Sequence, residues 1–178
     1  MTISPVYDGA PAQRRESPEQ DCYDVLNALS IPFTRVDHDA AFTMEACEGI
    51  SKALDVHICK NLLLTPRNRS AFYLLCMPED KPFSTKDFSK LIGSSRLSFA
   101  TPEDMESLLH TAPGSASLLG LLFDTEHRVT LAIDRSVAEA EWFGCHPCRN
   151  TSSLRLKTAD ILHTFLPHTG HEPVIVEL

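Results

Sequence analysis

The 178-residue chain is 43% hydrophobic and 22% charged, with a formal net charge of −8 at pH 7. That length can bury one substantial core, and the balance excludes a disordered or fibrous chain. The negative charge argues against a protein that grips nucleic acid by bulk electrostatics. Lys81, Lys86, Lys90 and Arg96 fall close enough together to form either a local basic groove or a solvated helix face.

No apolar run approaches the roughly 18 residues of a membrane span. Met1–Arg15 lacks the layered pattern of a secretory leader. Residues 1–16 are therefore expected to be a flexible tail and residues 17–178 a single cytoplasmic domain. The six cysteines favour reduced thiols over a disulfide framework. Cys59 and Cys76 sit in apolar runs as small core residues. Cys145 and Cys148 have zinc-like spacing, but no second pair completes four ligands, so no metal is expected.

In chain order, Ser17-Pro18-Glu19-Gln20 reads as a capping box opening a helix whose apolar face is Tyr23, Leu26 and Leu29. Ile31-Pro32 ends it, and Phe33–Val36 reads as a strand. Thr43 is placed to cap a second helix through Leu54, with Met44, Cys47 and Ile50 as its buried stripe. Ile58–Leu64 reads as a central strand and Ala71–Met77 as its hairpin partner across the Pro66–Arg69 turn. Ser84 starts a third helix stopped at Gly93, Leu97–Phe99 is a short strand, and Thr101 caps a fourth helix through Leu109. No element is assigned to Leu118–Phe123. Val129–Ile133, Trp142–Cys145 and Ser153–Leu156 read as strands, Thr158 as the cap of a last helix ending near Leu166, and Val174–Val176 as an edge strand. Strands and helices mix without regular alternation. The expected class is α+β, a single domain with a mixed, mainly antiparallel sheet flanked by helices.

Three stretches carry more polarity than a core needs, and they are expected to converge on one site. Cys145–Leu154 crowds His146, Asn150, Thr151 and two thiols between apolar segments. Lys60 interrupts an apolar strand, so it must either snorkel from an exposed face or point into a polar cavity. Asn61 faces the opposite side of a regular strand, so a role for it requires a bulge or a backbone contribution. The loop around Gly114, with Ser115 and Ser117, can gather backbone amides around an oxyanion or phosphate. No nucleophilic triad, dinucleotide fingerprint or phosphate loop is present. These residues by themselves define an α+β domain with a polar pocket.

Several motifs nevertheless occur together in a recognisable order. They are Lys60-Asn61-Leu62-Leu63-Leu64, Tyr73-Leu74-Leu75 with Pro78-Glu79-Asp80-Lys81, Ser95–Ala100, Gly120-Leu121-Leu122 with Asp124–Val129, and His146-Pro147 with Asn150-Thr151. Over about Tyr23–Phe165 the chain resembles the prolyl-tRNA editing family, with the YbaK-like fold shared by the insertion domain of bacterial prolyl-tRNA synthetase. It is most similar to the free-standing, synthetase-associated branch that hydrolyses alanyl-tRNA(Pro).

The resemblance implies hydrolysis of the ester joining a wrong amino acid to the 3′-terminal adenosine. In that scheme Lys60 contacts the terminal nucleotide, Asn61 and His146 hold the ribose or aminoacyl group, and the Gly114 loop addresses the ester carbonyl. Ser115, Ser117, Leu118, Asn150 and Thr151 shape the substrate pocket. No cofactor and no metal are implied, and neither membrane nor DNA is a partner. The partner is the acceptor end of tRNA(Pro), with a local basic patch or prolyl-tRNA synthetase assisting docking. The family loop usually reads Gly-x-x-x-Pro, whereas here Gly114 is followed at the proline position by Leu118. A deacylase for cysteinyl-tRNA(Pro) or another small mischarge, and a non-catalytic tRNA or nucleotide binder with a drifted loop, remain alternatives.

Overall fold

The computed structural model describes residues 1–41 and 44–178, with the side chains of residues 44–46 left aside. Thr43 as a cap and Met44 in the buried stripe lie outside the described residues. In order, the elements are β1 (Tyr7–Asp8), α1 (Glu19–Ala28), β2 (Phe33–Asp37), α2 (Met44–Leu54), β3 (Lys60–Pro66), β4 (Phe72–Met77), α3 (Thr85–Leu91), β5 (Leu97–Phe99) and α4 (Pro102–Leu109). A 3-10 helix (Leu118–Phe123) follows, then β6 (Val129–Asp134), α5 (Arg135–Glu139), β7 (Trp142–Cys145), β8 (Ser152–Lys157), α6 (Thr158–Asp160), a π-helical segment (Ile161–Phe165), α7 (Leu166–Thr169) and β9 (Val174–Val176).

The α+β class holds, and the strands divide between two sheets. One has the order β1-β2-β8-β7 and is antiparallel throughout; the other, β5-β3-β4-β6-β9, is antiparallel at β3 and parallel where β6 meets β4 and β9. The sheets touch where Ile58 bridges Gly144 in parallel and the Cys59 N–H donates to the Gly144 carbonyl at 2.9 Å.

Period-two alternation explains the leucine run in β3. Leu63 and Leu74 face the main core between the sheets, with Phe143, Leu154, Leu156, Phe165 and Tyr23. Leu64 and Leu75 face the second core under α3, with Phe88 and Leu97. A strand covered on both faces needs apolar residues at consecutive positions. A third cluster of Val36, Ile50, Leu54 and Ile58 seats α2 on the four-stranded sheet.

Several local expectations are corrected. The Ser17 hydroxyl donates to the Asp21 carboxylate instead of accepting a backbone amide, so no capping box forms and Pro18 is the N-cap. Thr158 caps nothing: Lys157 is the N-cap, and the buried Thr158 hydroxyl has no partner among the described residues. Within residues 1–16, expected as a tail, the segment from Ile3 to Gly9 lies along β2. Tyr7 and Asp8 pair with Arg35 and Thr34, Ile3 bridges His38, and the Ser4 N–H donates to Asp37 O at 2.8 Å. Lys81 is drawn out of the supposed basic groove by the buried Asp134 carboxylate at 2.8 Å, while Lys86, Lys90 and Arg96 are exposed. The Leu118–Phe123 segment forms a 3-10 helix capped by the Ser117 hydroxyl.

The sheet junction requires glycine. A Cβ on Gly144 would lie 2.5 Å from the His57 carbonyl oxygen and 3.1 Å from Ile58 Cα, both backbone atoms that cannot swing aside. Gly144→Ala is expected to cost about 1–3 kcal/mol through overpacking. That should appear as a Tm lower by roughly 5 °C in thermal unfolding.

Candidate active site

Where the sheets meet, a cavity of about 430 Å³ opens, lined by Lys60, Asn61, Gly114 and His146 together with apolar residues that include Ile58, Leu62 and Ala116. The volume lies in the range of small-molecule sites. The three polar stretches therefore border one space. The strand explains how both Lys60 and Asn61 reach it. The β3–β4 register is regular (Lys60↔Met77, Asn61↔Cys76), so no bulge is needed. On its other side, β3 pairs with β5 only from Leu64, after the Ala100 N–H donates to Leu63 O. The edge at residues 60–62 is thus open, and side chains from both of its faces border the cavity.

Asn61 is half committed. Its Nδ2 donates to the Cys59 carbonyl at 3.2 Å, while the buried Oδ1 has no partner among the described residues. A buried acceptor without a donor is costly unless something supplies one.

Gly114 sits at φ 86 after Pro113, and the Ser115 N–H donates to Ala112 O at 2.9 Å. This is the left-handed position of a type II turn, which favours glycine. The Ser115 amide is consumed by the turn, which leaves Gly114 and Ala116 as the loop residues bordering the cavity. Ser117 then clasps the loop to the histidine segment: its hydroxyl donates to the His146 carbonyl at 2.6 Å and accepts the Leu119 N–H at 3.2 Å.

The His146 Nδ1 lies 2.9 Å from the Ser152 carbonyl, which can only accept, so Nδ1 carries the proton and Nε2 the lone pair. Burial drives the pKa of His146 below its ordinary value. The bond to Ser152 O opposes that shift, and the neighbouring His38 imidazole adds to it. Near neutral pH the ring is an uncharged hydrogen-bond acceptor at the cavity wall.

Other expected pocket residues act at one remove. Ser115 and Ser117 are buried in the turn and clasp, and Leu118 is wholly inside the main core. Asn150 and Thr151 contribute their backbone carbonyls, which accept from Ala41 N–H (3.3 Å) and His38 N–H (2.9 Å). They are not among the residues lining the cavity. Conversely, Cys47, Cys59 and Glu79 line it without having been anticipated. Burial, and next the adjacent Glu79 carboxylate, push the Cys47 thiol up to about 11. Glu79 lay inside the Pro78–Lys81 motif, but nothing in the sequence pairs it with Cys47.

Of the two thiols with zinc-like spacing, Cys148 packs on Cys22 at an Sγ–Sγ distance of 3.7 Å, both being buried. Cys145 is wholly buried at the end of β7, and burial, then the neighbouring Cys59 and Cys22 thiols, push its pKa up. Among the described residues no group of three or more His, Cys, Asp or Glu side chains is arranged to hold a metal ion. A neighbouring cavity of about 390 Å³ shares Ile58 and Cys59, but its wall carries Asp55, Asp80 and Glu141, the wrong sign for a nucleotide phosphate.

The cavity thus gathers a cation, an uncharged imidazole and a glycine turn beside an apolar wall. Residues 38–164 match the model of the aminoacyl-tRNA editing domain, and the chain belongs to that family. Its enzymatic class is accordingly aminoacyl-tRNA deacylase. Among its relatives is the prolyl-tRNA synthetase associated domain-containing protein 1 of Danio rerio, 31% identical over 94% of this chain and 89% of that protein. The prolyl-tRNA editing protein ProX of Acetoanaerobium sticklandii is 29% identical over 76% of this chain and 83% of its own. A solved structure proposed to be a trans-editing enzyme for prolyl tRNA synthetase shares the fold. It superposes with a TM-score of 0.66, at 15% identity, over 92% of this chain and 99% of that one.

Proposed function

We propose that this protein acts in trans on mischarged tRNA(Pro), binding the 3′-terminal aminoacyl-adenosine in the cavity and hydrolysing its ester, with alanine the preferred amino acid. The observation that carries the reading is that Lys60, Asn61, Gly114 and His146 border the same 430 Å³ space. The relatives named for prolyl-tRNA editing or synthetase association support tRNA(Pro) as the substrate. The cytoplasm, where aminoacyl-tRNA is used, is the proposed location.

In this scheme the Lys60 ammonium binds a phosphate of the terminal nucleotide. Asn61 Oδ1 accepts from a ribose hydroxyl or the α-ammonium. Water adds to the ester carbonyl carbon, the carbon–oxygen ester bond breaks, and the departing 3′-oxygen takes a proton; free amino acid and deacylated tRNA result. His146 Nε2 accepts a hydrogen bond from the water or from the neighbouring ribose hydroxyl. An activated ester needs little more than this placement. The apolar wall of Ile58, Leu62 and Ala116 suits a small side chain, and exclusion of proline by size supplies discrimination.

Leu118 lends no support to the non-catalytic alternative. It is the first residue of the 3-10 helix after the Ser117 cap, a position where proline is tolerated, and its side chain points into the core and away from the cavity.

The test is hydrolysis of alanyl-, cysteinyl- and prolyl-tRNA(Pro) by the purified protein. Rapid loss of alanine with proline spared is expected. Loss of cysteine instead would move the substrate, and survival of all three esters would overturn the deacylase reading for tRNA(Pro).

The pH profile follows from the lowered pKa of His146. The rate should be level above neutrality and fall on an acid limb lying below pH 6.5, a limb that His146→Gln removes. Stability has the same sign. The unfolded chain binds a proton at His146 near pH 6.5 and the folded chain resists it, so this contribution is complete above 6.5 and is lost as the pH falls.

A further inference from the structure

His38, just past the end of β2, is buried and belongs to none of the polar stretches that meet at the cavity. Its Nδ1 lies 2.9 Å from the Asp39 carbonyl, which can only accept, so in the neutral ring Nδ1 carries the proton and Nε2 the lone pair. That Nε2 lies 2.8 Å from the Ser153 hydroxyl, which therefore donates to it. The same oxygen lies 3.1 Å from His146 Nδ1. With its proton committed to His38, Ser153 can offer His146 only a lone pair, as a second acceptor beside the Ser152 carbonyl. The two rings stand 6.1 Å apart, and Ser153 is wholly buried between them.

The Ser152 carbonyl favours the Nδ1–H state of His146, and this arrangement removes the one hydroxyl placed to compete with it. If the Ser153 hydroxyl were free to turn, it could donate to Nδ1, which would favour the tautomer with the proton on Nε2. That ring would present a donor to the cavity instead of an acceptor. We propose that His38 is a positioning residue for His146: by taking the Ser153 hydroxyl proton it prevents that rotation and keeps the His146 Nε2 lone pair turned to the ligand. The hydrogen-bond partner of one ring nitrogen dictates what the other can do. The catalytic consequence rests on the deacylase reading, whereas the tautomer does not.

The test combines long-range nitrogen–proton NMR of the histidine rings with deacylation kinetics on alanyl-tRNA(Pro), at neutral pH, in the full-length protein. Wild type is expected to show His146 protonated on Nδ1. His38→Leu should populate the Nε2–H form and lower kcat about tenfold with KM little changed, as loss of an orienting partner commonly does. His38→Gln, whose side-chain oxygen can accept from Ser153, should restore both. The double variant His38→Leu/Ser153→Ala, which removes the competing hydroxyl, should return His146 to the Nδ1–H form held by the Ser152 carbonyl alone. A residue that merely filled space would give no such recovery.

An unchanged His146 tautomer in folded His38→Leu overturns the proposal. So does an altered tautomer with unaltered kcat. If His38→Leu does not fold, the comparison moves to His38→Asn, whose shorter amide cannot reach Ser153 and which should behave as the leucine variant is expected to. Absence of hydrolysis by wild type sinks the deacylase reading alone and leaves the tautomer measurement to decide the hydrogen-bond chain.

Discussion

Lys60→Ala should reduce hydrolysis of the mischarged tRNA by roughly 100-fold in kcat/KM, the scale of removing a preorganised charged donor, while leaving thermal unfolding almost unchanged. Lys60 is the first residue of β3, half-buried, and its side chain borders the cavity without entering any of the three apolar clusters. Alanine keeps the strand and its pairing with Met77, because that pairing runs through the backbone. What disappears is a positive charge facing a pocket proposed to receive a phosphate. Lys60→Arg retains the charge but spreads it over a planar fork, so only partial recovery is expected. Wild-type turnover by Lys60→Ala would falsify the assigned role, and a large drop in Tm would move Lys60 from the site to the scaffold.

The largest expected effect on stability belongs to Asp124→Ala, far from the cavity. The Asp124 carboxylate is buried and accepts three hydrogen bonds: from Arg128 N–H at 3.0 Å, from Val129 N–H at 2.8 Å, and from His171 Nε2 at 3.0 Å. It thereby ties the end of the 3-10 helix to the start of β6 and to the chain after α7. Alanine would strand these donors without water to replace the acceptor, at about 1–3 kcal/mol for each buried group left unpaired. A total of about 3–5 kcal/mol, or on the order of 10 °C in Tm, is expected from denaturant or thermal unfolding. Asp124→Asn, which retains one acceptor oxygen, should lose distinctly less. Equal stability of Asp124→Ala and wild type would mean that the three donors find other partners.

The two variants divide the molecule along the line that separates what was legible from what was not. Alternation and turn residues located the principal strands, the Ser84 and Thr101 caps and the glycine turn, because these depend on neighbours within a few positions. Lys60, Asn61, Gly114 and His146 stood out for a related reason: polar or conformationally special residues at positions where the local pattern calls for apolar ones. The helix starts at Ser17 and Thr158 misled, since a hydroxyl near a helix end takes whichever acceptor the tertiary structure offers, and for Ser17 that was Asp21.

Pairings across long stretches of chain had no local signature. The meeting of Gly144 with Ile58, the capture of Lys81 by Asp134, the pairing of residues 3–8 along β2, and the chain from His38 through Ser153 to His146 all depend on which strands become neighbours. By itself, the order of residues determined the class of fold, the span of the domain's core-forming elements and the chemical types gathered for the site. Only the tertiary structure decided that β3 stops pairing with β5 before its first residues, so that one open strand edge exposes both faces to the cavity, and that a buried second imidazole governs the first. Hydrogen bonds and burial are set by distance in space, and a chain declares that distance only once it has folded.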